Sequence, residues 1–255
     1  MNYGKFAYVY DRLMEDVSYE KWLAFLIGQK KKYLVEGSRV LDLACGTGEL
    51  SVMLAGEGFS VVGVDLSEDM LMAAREKADR EKADVSFFLQ DMRELEGLGK
   101  FDLAAVFCDS LNYLGSEDEV RETFSRIHRH LDSNGLFLFD VHSVRQIEEE
   151  FANKTFTLND EDISYIWNSF PGESPFSVEH ELSFFVQDEI TGLYERFDEL
   201  HQQRTYPLPE YEQMLIEAGF TILEVTADFT DNPPDADSSR IFFTCKINKE
   251  KRKVS

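Results

Sequence analysis

Basic residues are scarce: 26 Lys and Arg stand against 49 Asp and Glu, a formal net charge of −23 over 255 residues. Repulsion on that scale opposes binding to polyanions, which normally draws on clustered Lys and Arg, so a nucleic-acid partner is not expected. The short basic run over 246–253 reads as a solvated tail. Cysteine is scarce too. Three thiols, at 45, 108 and 245, neither complete a disulfide set nor show CxxC spacing, so no metal is expected and a reduced cytoplasmic compartment is the default. Long apolar runs are missing: 22–27 and 103–108 are far too short to cross a bilayer, and 1–30 lacks the pattern of a secretory signal. There is no internal repeat and no low-complexity segment. What is plentiful is apolar and aromatic side chain. A hydrophobic content of 43%, with 21 Phe and 10 Tyr, suffices for one large core, or a core with a modest second lobe.

The hydrophobic pattern divides the chain. After an amphipathic stretch over 19–33, short apolar runs at 40–44, 60–64, 85–89, 101–107 and 136–141 alternate with helical patterns. Ser67 is placed to cap the helix that follows the second run, and Ser116 with Glu119 forms a capping box before another. Asp132-Ser133-Asn134-Gly135 predicts a turn ahead of the fifth run. Such alternation implies a doubly wound, mostly parallel sheet. From about 146 the period changes to two, as in Ile163, Tyr165, Trp167 and Val178, His180, Leu182, Phe184, Val186, with a hairpin turn at 188–192. A helix over 209–218 and strands over 220–227 and 240–247 return to the first pattern. The domain reading is therefore a core of 1–145 plus 205–255 and a β-rich lid over 146–204. The lid region is acidic, with 14 acids against 4 bases over 145–205.

Three strand ends carry the chemistry. Val40-Leu41-Asp42-Leu43-Ala44-Cys45-Gly46-Thr47-Gly48 is a buried strand feeding a Gly-x-Gly turn and then a helix, which brings bare backbone and helix N–H groups beside a ligand. Alone, such a turn is also a tight connection. Asp65 ends the next strand 19 residues after Gly46, the spacing at which an acid accepts from ribose hydroxyls. Gln90-Asp91-Met92 follows the third strand, where a carboxylate can accept from an adenine amino group and Met92 or Leu66 can face the ring. A dehydrogenase fingerprint would need a third Gly or Ala at position 51, which is Ser51.

With these motifs in order, the sequence resembles class I S-adenosylmethionine (SAM)-dependent methyltransferases with an Asp-Leu-Ala-Cys-Gly-Thr-Gly cofactor loop. The resemblance is strong over 35–145, weaker over 205–247, and does not extend into the insertion. It implies a Rossmann-like seven-stranded α/β sheet of order 3-2-1-4-5-7-6 and SAM as cofactor. It further implies Asp42 and the Ala44, Cys45, Gly46 and Gly48 backbone beside the methionine portion, Asp65 on the ribose, Leu66 and Met92 about the adenine, and Gln90-Asp91 at its amino group. The carbonyl near Phe107 or Cys108 would meet the methionyl ammonium.

Methyl transfer is an in-line displacement, so alignment supplies much of the rate, and a base is needed only if the acceptor loses a proton. Asp109, Asn112, Tyr113 and His142, at the ends of strands four and five, are the candidates for acceptor contact. His142 is the best base by intrinsic pKa; a loop histidine paired with Asp140 or a lid acid is the other reading. The aromatic segment around Tyr3 and Tyr10 either covers the methionine end, where aromatic faces suit a sulfonium, or packs in the core. His180, His201, Arg204 and Tyr206 interrupt the acidic lid and are placed to project towards the acceptor. Asn- or Asp-Pro-Pro-Tyr is absent after strand four, and no cysteine follows a proline, which disfavours methylation of DNA bases. A small-molecule acceptor is expected, an RNA- or protein-directed enzyme and a SAM-binding scaffold without turnover being the alternatives. The sequence leaves the oligomeric state open.

Overall fold

A computed structural model describes residues 10, 18–188 and 190–248. Helix α1 (Tyr19–Lys32) buries Trp22, Leu26 and Gln29, one stripe at helical spacing, and ends in Lys30, Lys31 and Lys32, which suit the negative end of its dipole. Then β1 (Arg39–Leu43), α2 (Glu49–Gly56), β2 (Ser60–Asp65), α3 (Glu68–Glu81), β3 (Val85–Leu89) and β4 (Phe101–Val106) follow in alternation. Next come α4 (Glu117–His130) and β5 (Leu131–His142). Ser67 caps α3, its side chain accepting from the Met70 N–H, and the Ser116/Glu119 capping box closes reciprocally at α4. The turn expected at 132–135 is present as a bulge inside β5: pairing with β4 jumps from Phe101↔Leu131 to Leu103↔Leu136.

Beyond β5 a π-helical turn, Gln146–Phe151, leads to β6 (Lys154–Asn159), β7 (Ile163–Pro171), β8 (Ser177–Gln187) and β9 (Tyr194–Arg204). These four form a separate antiparallel sheet in chain order. Helix α5 (Leu208–Glu217) and strands β10 (Phe220–Ala227) and β11 (Arg240–Ile247) complete the main sheet. Its order is 3-2-1-4-5-11-10, with β11 antiparallel to both β5 and β10, as the sequence predicts. Strands β1 to β5 run parallel, so their carboxyl ends share one edge.

Apolar side chains cover the sheet on both faces. Trp22, Leu26, Leu50 and Leu54 pack with Val40, Leu103, Leu138 and Phe242 on one side. Val120, Phe124, Ile127, Tyr211 and Met214 pack with Leu41, Ala104, Phe139 and Phe243 on the other. The second sheet has its own small cluster around Ile163 and Phe184. Among the described residues, no helix is long and apolar enough to cross a membrane.

Candidate active site

The carboxyl edge is irregular where it matters. Ala44 after β1, and Cys108 and Asp109 after β4, hold left-handed φ values of +53°, +55° and +52° without being glycine. Such strain persists where surrounding structure enforces it, commonly at functional sites. Gly46 (φ +54°) and Gly48 (φ +76°) shape the β1–α2 turn, for different reasons. A Cβ on Gly48 would lie 2.9 Å from that of Ala74, so Gly48 serves the approach of α2 to α3. One on Gly46 would meet nothing within 4 Å, leaving room beside the backbone open.

That room belongs to a cavity of about 400 Å³ walled by Ala44, Gly46, Asp65, Leu66, Gln90, Asp91 and Met92. Three successive strand ends thus converge on one space. Asp65 accepts from the Gly46 N–H (2.8 Å) and the Ser67 N–H (2.9 Å), tying the ends of β1 and β2 together. Burial raises its carboxyl, and these N–H groups oppose the rise. Asp91 is more heavily engaged than its sequence position suggests: the Arg93 guanidinium spans both oxygens, at 2.9 and 3.0 Å from Nε. Arg93 in turn reaches Glu119. The Gln90 amide is spent on the Glu96 backbone, donating to its oxygen and accepting from its N–H, both at 3.1 Å. Gln90 therefore offers the cavity little beyond its backbone.

Four other expected cofactor residues, Cys108 among them, lie elsewhere. Asp42 is buried beneath the turn, accepting from Ser51 Oγ at 2.5 Å, and burial pushes its carboxyl up to about 7. It does not line the cavity, because its carboxylate is turned to Ser51 of α2 on one face of the sheet. Cys45 and Gly48 do not line it either.

A second cavity, about 420 Å³, lies between the edge and the second sheet. Its floor holds Cys108, Asp109, Ser110, His142 and Arg240, and its roof Phe151, Tyr165, Trp167, His180, Leu182, Phe184 and Gln203. The two cavities share Tyr10, Ser110, Tyr113 and His201. Tyr10, in the segment read as a cofactor cover, thus stands where they meet; Tyr3 lies outside the described residues. Cys108 borders the second cavity rather than the first. The Phe107 carbonyl, expected at an ammonium, accepts from Ser110 Oγ at 2.7 Å.

The floor is built around two carboxylates. Asp140 is fully buried and accepts from Trp22 Nε1 (2.8 Å), the Cys108 N–H (2.9 Å), the Asp109 N–H (3.1 Å) and Arg240 Nη1. Asp109 receives Arg240 Nη2 at 2.9 Å, Gln203 Nε2 at 2.8 Å, and His142 Nε2 at 3.2 Å. Burial works to raise the Asp109 carboxyl, but the charges and hydrogen bonds of His142 and Arg240 hold it well below the usual carboxylate range. His142 therefore pairs with Asp109, not with Asp140 or a lid acid. Trp167 Nε1 donates to His180 Nδ1 (2.9 Å), which places the ring proton on Nε2, against Gln203 Oε1 at 3.3 Å. Burial pushes this imidazole down to about 4, so it is neutral near pH 7 and orients the Gln203 amide towards Asp109.

Asn112 is a correction. It is fully buried and faces neither cavity of this pair; Oδ1 accepts from the His142 N–H (2.9 Å) and Nδ2 donates to the Arg204 carbonyl (2.8 Å). Both ends of its amide are used to hold β5 and β9 to the loop after β4. Arg204 and Tyr206 also point away from the chamber, Arg204 lying over the Tyr206 ring at 4.7 Å. Arg240 and Arg93 were not legible as site residues. Arg240 becomes one through antiparallel register, which sets it opposite His142, a pairing that no spacing along the chain announces.

A glycine turn and successive strand-end acids on this sheet order define a Rossmann-like methyltransferase fold. Comparisons agree: residues 40–135 match a methyltransferase domain model. A provisionally named methyltransferase of Geobacillus sp. (strain WCH70) is 54% identical over 96% of this chain and all of that protein. Another, YqeM of Bacillus subtilis (strain 168), is 49% identical over the whole of both chains. The crystal structure of a SAM-dependent methyltransferase from Clostridium acetobutylicum ATCC 824 superposes with a TM-score of 0.87 at 32% identity, covering 96% of this chain and 98% of that one. The chain belongs to the SAM-dependent methyltransferases, and SAM is its cofactor.

Proposed function

We propose that this enzyme methylates a small molecule held in the chamber between the sheet edge and the lid, with SAM in the neighbouring cavity. The observation that carries this reading is that the two cavities meet at Tyr10, Ser110, Tyr113 and His201. A chamber of about 420 Å³, roofed by aromatic side chains with a few polar groups converging on its floor, suits a small ligand better than a polymer. The first cavity fits SAM in its donor set: Asp65 for the ribose diol, Leu66 and Met92 for the adenine faces, and open backbone at Gly46. Asp91 takes the adenine amino group with the lone pairs that Arg93 leaves, and Asp42 steadies the turn from beneath.

When bound, SAM supplies an electrophilic methyl group. The chain's own part is to align the acceptor and take its surplus proton. His142 is the proposed base: donation from Nε2 to Asp109 leaves Nδ1 with a lone pair, and Asp109 stabilises the imidazolium. Tyr113 borders the point of transfer. The lid over 146–204 selects the acceptor, while the first half of the chain holds the cofactor.

Asp65→Ala should weaken SAM binding by about 2–4 kcal/mol, the worth of one or two charge-assisted hydrogen bonds. Titration calorimetry measures this directly. An unchanged dissociation constant removes Asp65 from the site.

A further inference from the structure

The roof of the chamber is one face of the antiparallel sheet, and pairing across it is chemically specific. Tyr165 stands opposite Phe184, and Trp167 opposite Leu182, in the β7–β8 register. All four line the chamber, so its roof is largely ring face and hydrocarbon. The floor is the reverse. Among the described lining residues Asp109 is the one carboxylate and Arg240 the one permanent cation, and that guanidinium is shared with Asp140, fully buried just beneath. Apart from His142, two acids share one guanidinium at and just beneath the floor, which leaves an excess of negative charge below a roof of π faces, whose quadrupoles also favour a cation. A neutral acceptor makes no use of either feature.

We propose that the acceptor is an amine borne on an aromatic or alicyclic body, its ammonium entering against Asp109 and its ring lying against Tyr165, Trp167 and Phe184. This rests on the two-cavity reading above and adds the chemical class of the substrate. The ammonium offsets the excess charge on the floor. It gives one proton to His142 and becomes a nucleophile. The nitrogen lone pair then forms the N–CH3 bond as the CH3–S bond breaks, leaving S-adenosylhomocysteine and a methylated ammonium. The charge lost by the sulfonium appears on nitrogen, and the proton remains on the imidazole until it passes to water. An alcohol has no cation to present and gains nothing from the floor.

Two probes of nearly equal shape separate these cases: 2-phenylethylamine and 2-phenylethanol. Each is titrated by ligand-observed NMR into the full-length protein saturated with S-adenosylhomocysteine. The amine is expected to bind about tenfold more tightly than the alcohol. Asp109→Asn should weaken the amine more than the alcohol and so remove most of that preference, and Trp167→Leu should weaken both together. Equal affinities in the wild-type protein, tighter binding of the alcohol, or no binding of either would overturn the amine assignment. The wild-type comparison decides by itself if Asp109→Asn does not fold. Failure of S-adenosylhomocysteine to bind at all would instead count against the two-cavity reading, so the two failures are distinguishable.

Discussion

At the scale of single residues, the site contains groups that cost the fold stability. Asp42 is the plainest. Its carboxyl titrates near 7 in the folded protein because burial penalises the anion more than the Ser51 hydrogen bond favours it. In the unfolded chain it titrates near ~3.9. Between those values the folded state holds a proton that the unfolded state has released, so stability falls as pH rises through that window. Asp42→Asn keeps an acceptor for Ser51 and removes the titration. It should stabilise the protein by about 2–4 kcal/mol at pH 8 and by less at pH 5. Denaturant unfolding of both proteins at the two pH values tests this; a variant no more stable than the parent at pH 8 would refute it. His180 has the opposite sense. Its imidazole is pushed down to about 4, so it contributes a loss of stability as pH falls from near 6.5 towards that value. The two groups favour different ends of the pH range, and the buried imidazole is neutral near pH 7.

At the scale of elements, Asn112 joins the parts. The loop after β4, the last residue of β5 and the end of β9 meet at its side chain, and Thr205 Oγ1 adds a bond to the His142 carbonyl at 2.6 Å. Asn112→Ala leaves a buried N–H and a buried carbonyl without partners and should cost about 2–4 kcal/mol. Urea unfolding gives the number, and a change below ~0.5 kcal/mol would show that water replaces the amide. This residue marks where sequence reasoning stopped. Strand ends, caps and the Gly46, Asp65, Asp91 series were legible because each depends on local spacing. The switch to period two announced the second sheet for the same reason. The mistaken expectation of Asn112 as an acceptor contact came from its place beside Asp109 and Tyr113. Neighbours in a tight turn point in different directions, and only the path of β9 across it fixes which is consumed.

At the scale of the whole molecule, charge is organised in two ways. The interior gathers it: Arg240, at the start of β11, neutralises acids after β4 and at the end of β5, while Trp22 of α1 donates to one of them. Distant parts of the chain are thus joined at one cluster. Arg240→Met would take the shared guanidinium from the buried Asp140 and the part-buried Asp109 and should destabilise by about 3–5 kcal/mol, measured by urea unfolding; a loss under ~1 kcal/mol would mean the acids are reached by solvent. The exterior disperses charge: the net value of −23 is far beyond what the surface ion pairs cancel. Exposed pairs such as Arg80–Glu81 and Arg196–Asp198 are worth little each and weaken in salt. Repulsion among the surplus acids weakens in salt as well, and it is the larger quantity here because so few bases are available to pair. Raising sodium chloride from ~20 to ~300 mM shortens the screening length from roughly 20 Å to about 6 Å. The melting temperature should therefore rise over that range, in a scanning calorimeter with SAM absent. A fall would show that ion pairs outweigh the repulsion, and would remove the argument that this surface turns polyanions away.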